Sequence, residues 1–241
     1  MKKVSLFAAA IIVAANINAQ PEKTETSPVN IVIVGDSTVQ TYKTDNPDKP
    51  IRGWGQVIDR FFNDKVKINN FALSGRSTKT FIEQGYWNKA LAATTPGSFV
   101  LIQFGHNDSH GKGKPESTDA NADYKEYLKK YVDDVKAKNA TPIFVTPMHR
   151  GIFKNDKITQ ELLPYVKAMQ DVAREKDIVC IDLYTPSGKA MQEMGKEGVA
   201  PIFCSAKDRT HFNEKGAVLM AELITKELAA QKTPLNQYLK K

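Results

Sequence analysis

The stretch "IVIVGDSTVQ", residues 31–40, runs four β-branched residues into Gly35, Asp36 and Ser37. A continuous apolar run of this length suits a strand buried on both faces, as at the centre of a parallel sheet. The Gly-Asp-Ser segment at its end has two readings. Gly, Asp and Ser are ordinary turn residues, and a Ser held at the end of such a strand is also where a nucleophile can stand. The rest of the chain decides between them.

Outward from this run lie four more short apolar segments: "VKINNFA" from Val66, "SFVLIQFG" from Ser98, "TPIFVTP" from Thr141 and "DIVCIDL" from Asp177. Between them the apolar spacing turns helical. Tyr124, Leu128, Tyr131 and Val135 make one stripe; Leu162, Val166, Met169 and Ala173 make another, with Pro164 near its start; Ala217, Ala221, Ile224 and Leu228 make the last. Strand alternating with helix predicts a three-layer α/β/α sandwich around a five-stranded parallel sheet. In such sheets ligands bind beyond the carboxyl ends of the strands. Those ends read "GDST", "LSGRST", "GHNDSH" and "HRG", so polar groups gather where a site is expected.

The first residues, "MKKVSLFAAAIIVAANINAQ", have the form of a secretory signal peptide: Lys2 and Lys3, an apolar stretch, then Ala19 as the cleavage residue. Cleavage there is expected to release an exported protein, periplasmic or extracellular, with a polar lead-in at 20–28 and a single domain at 29–241. No other segment approaches the ~20 apolar residues of a membrane span. The whole chain of 241 residues carries 34 basic and 27 acidic side chains, +7 in all. Setting aside Lys2 and Lys3 leaves 32 basic against 27 acidic residues, or +5, with the excess spread along apparent helices. No basic run with interleaved aromatics points to nucleic acid, while a weakly basic surface is compatible with an acidic polymer such as a uronic-acid glycan. Cys180 and Cys204 can pair after export, but two cysteines do not demand a bridge, and a buried thiol is the expectation for Cys180. A monomer is the expected state.

A serine nucleophile needs a base, a group that orients the base, and donors for the oxyanion. No G-x-S-x-G elbow occurs. Of the four histidines, His211 lies three residues after Asp208 in "DRTHFNEKGA", and a tight turn of that spacing brings a carboxylate within reach of Nδ1. The same four residues could be an incidental surface loop. Gly75 is either a turn glycine or a backbone donor, and Asn107 either caps a loop or supplies an amide to the oxyanion. "HNDSH" also sets His106, Asp108 and His110 at alternate positions, a spacing that metal sites use, though it runs into the Gly- and Lys-rich "GKGKPES" and lacks an evident further ligand.

The joint order is more specific than any part. "GDST", a Gly after the next strand, "GHND" after the third and D-x-x-H near the carboxyl terminus together resemble the SGNH, or GDSL-type, hydrolase superfamily. The resemblance runs from about Asn30 to the final helix. It implies the flavodoxin-like fold of that superfamily, Ser37 as nucleophile, His211 with Asp208 completing a triad, and an oxyanion hole from the Ser37 and Gly75 backbone and the Asn107 amide. "GWGQ" at Gly53–Gln56, "NFALSGRST", "FGHND" and "DRTHFNEKGA" are similar to the rhamnogalacturonan acetylesterase branch, whose reaction removes acetyl groups from the galacturonic acid units of a pectic polysaccharide without metal or other cofactor. His149 and Arg150, after the fourth strand, are either candidate contacts for a uronate carboxylate or members of a helix cap or loop ion pair. Trp54 is expected in the core. A metallohydrolase, a carbohydrate-binding protein on the same fold, and the same machinery acting on another ester are the competing readings.

Overall fold

The first strand shows why this chain folds as it does. In the computed structural model, β1 (Val29–Gly35) has its central residues Ile31 to Val34 completely buried. Ile31 and Ile33 point into one apolar cluster and Val32 and Val34 into the other, the two-residue alternation of a strand covered on both faces. The structure describes residues 28–43, 50–231 and 233–240. The expected leader at 1–19 and nearly all of the lead-in lie outside them.

After β1 come β2 (Val66–Asn70), α1 (Thr78–Glu83), α2 (Tyr86–Ala93), β3 (Phe99–Gln103), α3 (Asp123–Ala137) and β4 (Thr141–Val145). A hairpin of β5 (Phe153–Lys154) and β6 (Lys157–Ile158) precedes α4 (Leu163–Lys176), β7 (Val179–Ile181), α5 (Tyr184–Gly198) and α6 (Glu214–Ala230). The main sheet has order β2-β1-β3-β4-β7, and every pairing is parallel. β1 is in register with β2 from Val29↔Val66 and with β3 from Ile31↔Phe99, and this second ladder ends at Gly35↔Gln103. α1 to α4 pack on one face through Phe81, Trp87, Tyr124, Leu128 and Met169. Met191 of α5 and Ala217, Met220, Ile224 and Leu228 of α6 cover the other. The sequence-expected sandwich is therefore present, with five parallel strands in the positions read from the apolar runs. The β5–β6 hairpin was not expected. Its two-residue turn puts Asn155 and Asp156 at φ 50 and 58, the left-handed pair such tight hairpins need.

Strand order places the site. The chain leaves β1 for β2 on one side, and β3 then pairs with β1 on the other, so the crevice between the ends of β1 and β3 is the switch point at which open α/β sheets bind ligands. Among the described residues no helix is long and apolar enough to cross a membrane. Cys180 and Cys204 are both free thiols.

Candidate active site

Ser37 stands two residues beyond β1, in a turn where the Asp36 carbonyl accepts from the Val39 and Gln40 amides, each at 3.1 Å. The turn is locked from both sides. Asp36 Oδ1 accepts from the Thr38 amide at 2.9 Å and from Thr38 Oγ1 at 2.7 Å, and the Tyr42 hydroxyl donates to the Ser37 carbonyl at 2.8 Å. Gly35 is required at the strand end because a Cβ there would lie 2.6 Å from the Gln103 carbonyl oxygen.

His211 and Asp208 come from the segment just before α6. Asp208 Oδ1 accepts from the amides of Thr210 at 2.7 Å and His211 at 2.8 Å, while Oδ2 lies 2.8 Å from His211 Nδ1. Burial acts to raise the Asp208 pKa, but the hydrogen bonds from His211 and Thr210 outweigh it and hold the carboxyl below its ordinary value. An ionised Asp208 keeps the proton on Nδ1, which leaves Nε2 as acceptor toward Ser37 Oγ at 2.9 Å. Residues 174 positions apart thus form a continuous Asp–His–Ser hydrogen-bonded relay.

Gly75 follows β2 in a turn at φ 75, and a Cβ there would meet nothing within 4 Å, so its requirement is backbone conformation alone. Asn107 Nδ2 uses one hydrogen on the Arg76 carbonyl at 2.9 Å, which fixes the amide and leaves its second hydrogen for another acceptor. Among the described residues no backbone carbonyl takes the Ser37 or Gly75 N–H. Ser37, Gly75, Asn107 and His211 line one cleft of about 530 Å³, within the usual size range of ligand sites. A reacting carbonyl in it would face one nucleophile, one base and three N–H donors.

One of the two candidate uronate contacts needs correction. His149 is not brought to this cleft. It is buried at 6% exposure, its ring stacks on Tyr184 at 3.8 Å, and Nδ1 bonds the Thr159 carbonyl at 2.9 Å. Arg150 does line the cleft, but its fork is occupied: one nitrogen pairs with Glu161 at 3.2 Å and another donates to the His106 carbonyl at 2.8 Å. The alternate residues of "HNDSH" also diverge. His106 faces Asp36, Asp108 turns to Thr78 and Thr118, and His110 pairs with Glu116 at 2.6 Å. Among the described residues no three His, Cys, Asp or Glu side chains converge in a way that could hold a metal ion.

The GDSL-like lipase/acylhydrolase family matches residues 31–224, most of the chain and all four blocks of the cleft. The chain belongs to this family. Among its relatives, a probable rhamnogalacturonan acetylesterase of Bacillus subtilis (strain 168), YesY, is 36% identical over 212 residues, covering 86% of this chain and 96% of that one. The rhamnogalacturonan acetylesterase RhgT of the same organism is 34% identical over 228 residues, covering 88% and 94%. Of solved structures, B. subtilis YxiM superposes with a TM-score of 0.75 at 27% identity, covering 87% of this chain and 58% of that longer one. An acetylxylan esterase of Geobacillus stearothermophilus, Axe2, shares the fold at a TM-score of 0.65 and 16% identity, covering 84% and 94%.

The GDSL-family cleft also rests on buried groups that motif reading passes over. Trp54 Nε1 donates to Gln103 Oε1 at 2.7 Å, Gln103 Nε2 to Thr38 Oγ1 at 2.8 Å, and Thr38 Oγ1 to Asp36 Oδ1 at 2.7 Å. Asp36 Oδ2 then lies 3.3 Å from His106 Nδ1, close enough for charge attraction though without hydrogen-bond alignment. Burial would raise the Asp36 pKa; His106 and Thr38 bring it below its usual value. All of these side chains are at most 2% exposed. One signal was available: Gln103 closes an otherwise apolar strand, and a buried amide needs partners.

Proposed function

We propose that this chain is a serine acetylesterase that deacetylates a pectic polysaccharide, rhamnogalacturonan. The Asp208–His211–Ser37 relay at 2.8 and 2.9 Å carries the chemical half of the reading. Names and coverage of the two relatives at 36% and 34% identity carry the substrate half. His211 Nε2 takes the Ser37 proton as Oγ attacks the acetyl carbonyl, and Asp208 holds the imidazole in the tautomer that can do so. The tetrahedral oxyanion receives the Ser37 and Gly75 N–H groups and the remaining Asn107 amide hydrogen. Collapse expels the sugar alcohol, protonated by His211, and leaves acetyl-Ser37. Water activated by the same base then releases acetate and restores the serine. Export by the leader at 1–19 fits a polymer substrate met outside the cell.

The test is acetate release from acetylated rhamnogalacturonan, with acetylated xylan as comparator and Ser37→Ala as control. Release from the pectic polymer that disappears in the variant is the expected result. Release from xylan alone would keep the mechanism and overturn the substrate. No Ser37-dependent release from either would overturn both.

A further inference from the structure

The catalytic cleft does not hold a spare cation for a uronate. Its arginine, Arg150, is bound to Glu161 and to a backbone carbonyl, and Glu161 itself lines the cleft as an anion. A second, larger cleft of about 970 Å³ adjoins it, and His110 lines both. Its volume lies at the upper end of the ~300–1,000 Å³ range of ligand sites. This is where the "GKGKPES" loop lands. Lys112 and Lys114 face the second cleft from that loop, and Lys79 faces it from α1.

What distinguishes these lysines is that they share one cleft and that, among the described residues, no ion pair engages them. Lys125, Lys129, Lys130 and Lys176, on α3 and α4, are all in ion pairs. Among the described residues Lys79, Lys112 and Lys114 are in none, although they ring one concavity. The carboxylates on the same wall are engaged at the start of α3: Asp123 accepts the Asp119 amide, and Asp119 accepts the Asn121 amide. Glu116, next to the loop, is held by His110 at 2.6 Å. Three ammonium groups against the two carboxylates of Asp119 and Asp123 leave the lining with an excess of positive charge that an anionic ligand would meet. Lysine suits a polymer better than arginine would. Its compact charge on a flexible stem can meet carboxylates arriving in more than one register, with no fixed fork to satisfy.

We propose that the second cleft is an anionic-saccharide subsite, in which Lys79, Lys112 and Lys114 hold the uronate units that flank the ester-bearing sugar as the polymer leaves the catalytic cleft past His110. The proposal deepens the reading of an acetylated uronic-acid polymer as substrate and rests on it. It also assigns the division of labour between clefts: chemistry at Ser37, charge recognition next door.

The experiment measures hydrolysis of a small aryl acetate and its inhibition by deacetylated rhamnogalacturonan oligosaccharides. Wild type is compared with Lys112→Glu/Lys114→Glu, with Lys112→Gln/Lys114→Gln, and with Lys189→Glu, an exposed α5 lysine outside both clefts. The expected inhibition constant rises about tenfold in the Glu pair and about threefold in the Gln pair, and stays put in Lys189→Glu. It should also rise in wild type between 0.05 and 0.5 M salt, as screened charge contacts require. If the Glu pair loses aryl acetate hydrolysis through misfolding, the Gln pair and the salt series still decide. An inhibition constant indifferent to the Gln pair and to salt would overturn the subsite. The two readings fail separately: absence of acetate release from the acetylated polymer sinks the substrate assignment, while unchanged inhibition constants in an enzyme that does deacetylate it sink only the subsite.

Discussion

Asp208 neither touches the nucleophile nor lines the cleft, yet it sets which nitrogen of His211 carries the proton. Asp208→Asn keeps the shape and loses that control, because an amide can turn its NH2 toward Nδ1 and force the proton onto Nε2; kcat should fall on the order of 10⁴-fold with KM little changed, measured on a small acetyl ester. Asn107→Ala removes one oxyanion donor and should cost ~100- to 1000-fold in kcat. Asp108 gives a pH signature of another kind. It is completely buried, and burial pushes its pKa up to about 7 against the hydrogen bonds from Thr78 and Thr118. In the unfolded chain an Asp titrates near ~3.9. Between about 4 and 7 the folded protein therefore holds a proton that the unfolded chain has released, so this group's stability contribution is complete below about 4 and is lost as pH rises through about 7. Wild type should lose more Tm between pH 5 and pH 8 than Asp108→Asn does; equal losses would count against that titration. At this scale the D-x-x-H unit was legible because its geometry is local to one turn. The partner of Arg150 was not, because Glu161 lies 11 residues on, across the unexpected hairpin. His149 was not, because which way a residue past a strand end points depends on what α5 offers, here the Tyr184 ring and the Ser187 hydroxyl.

The elements behind the site were read from sequence where their apolar period was unbroken, as in β1, β3, α3 and α6. They were missed where the signal was a turn pair two residues long, as in β5–β6, or an apolar period diluted by polar and Gly residues, as in α5. Helix α6 shows how an element supports the chemistry. Its N-cap Asn213 accepts the Gly216 amide at 3.2 Å and donates to the carbonyls of Pro201 and Phe203 at 2.8 and 3.0 Å, two residues after His211. Asn213→Ala should cost about 1 kcal/mol in denaturant unfolding. The 3-10 turn Trp54–Gln56 makes a parallel case from the other side. Trp54→Phe keeps most of the buried ring but leaves Gln103 Oε1 without its donor, so a loss of ~1–3 kcal/mol is expected.

For the molecule as a whole, the site was legible because parallel strands end on one edge, and four short motifs at four strand ends or loops could only meet there. What stayed hidden is the traffic between layers: the Trp54–Gln103–Thr38–Asp36 chain joins segments that no local pattern connects. Thiol reagents offer a simple global check, since two free cysteines predict a Tm unaffected by reductant. The 174-residue separation of Ser37 from His211 also has a consequence for synthesis. A nascent chain acquires its nucleophile first, then both segments bearing the other oxyanion donors, and its proton acceptor last of all. His211 is further held by the antiparallel bridges of its neighbour Phe212 to Arg52 and Phe203. The relay is therefore incomplete until nearly the whole polypeptide has been made, and a chain that ends ahead of residue 211 has nothing to take the serine's proton.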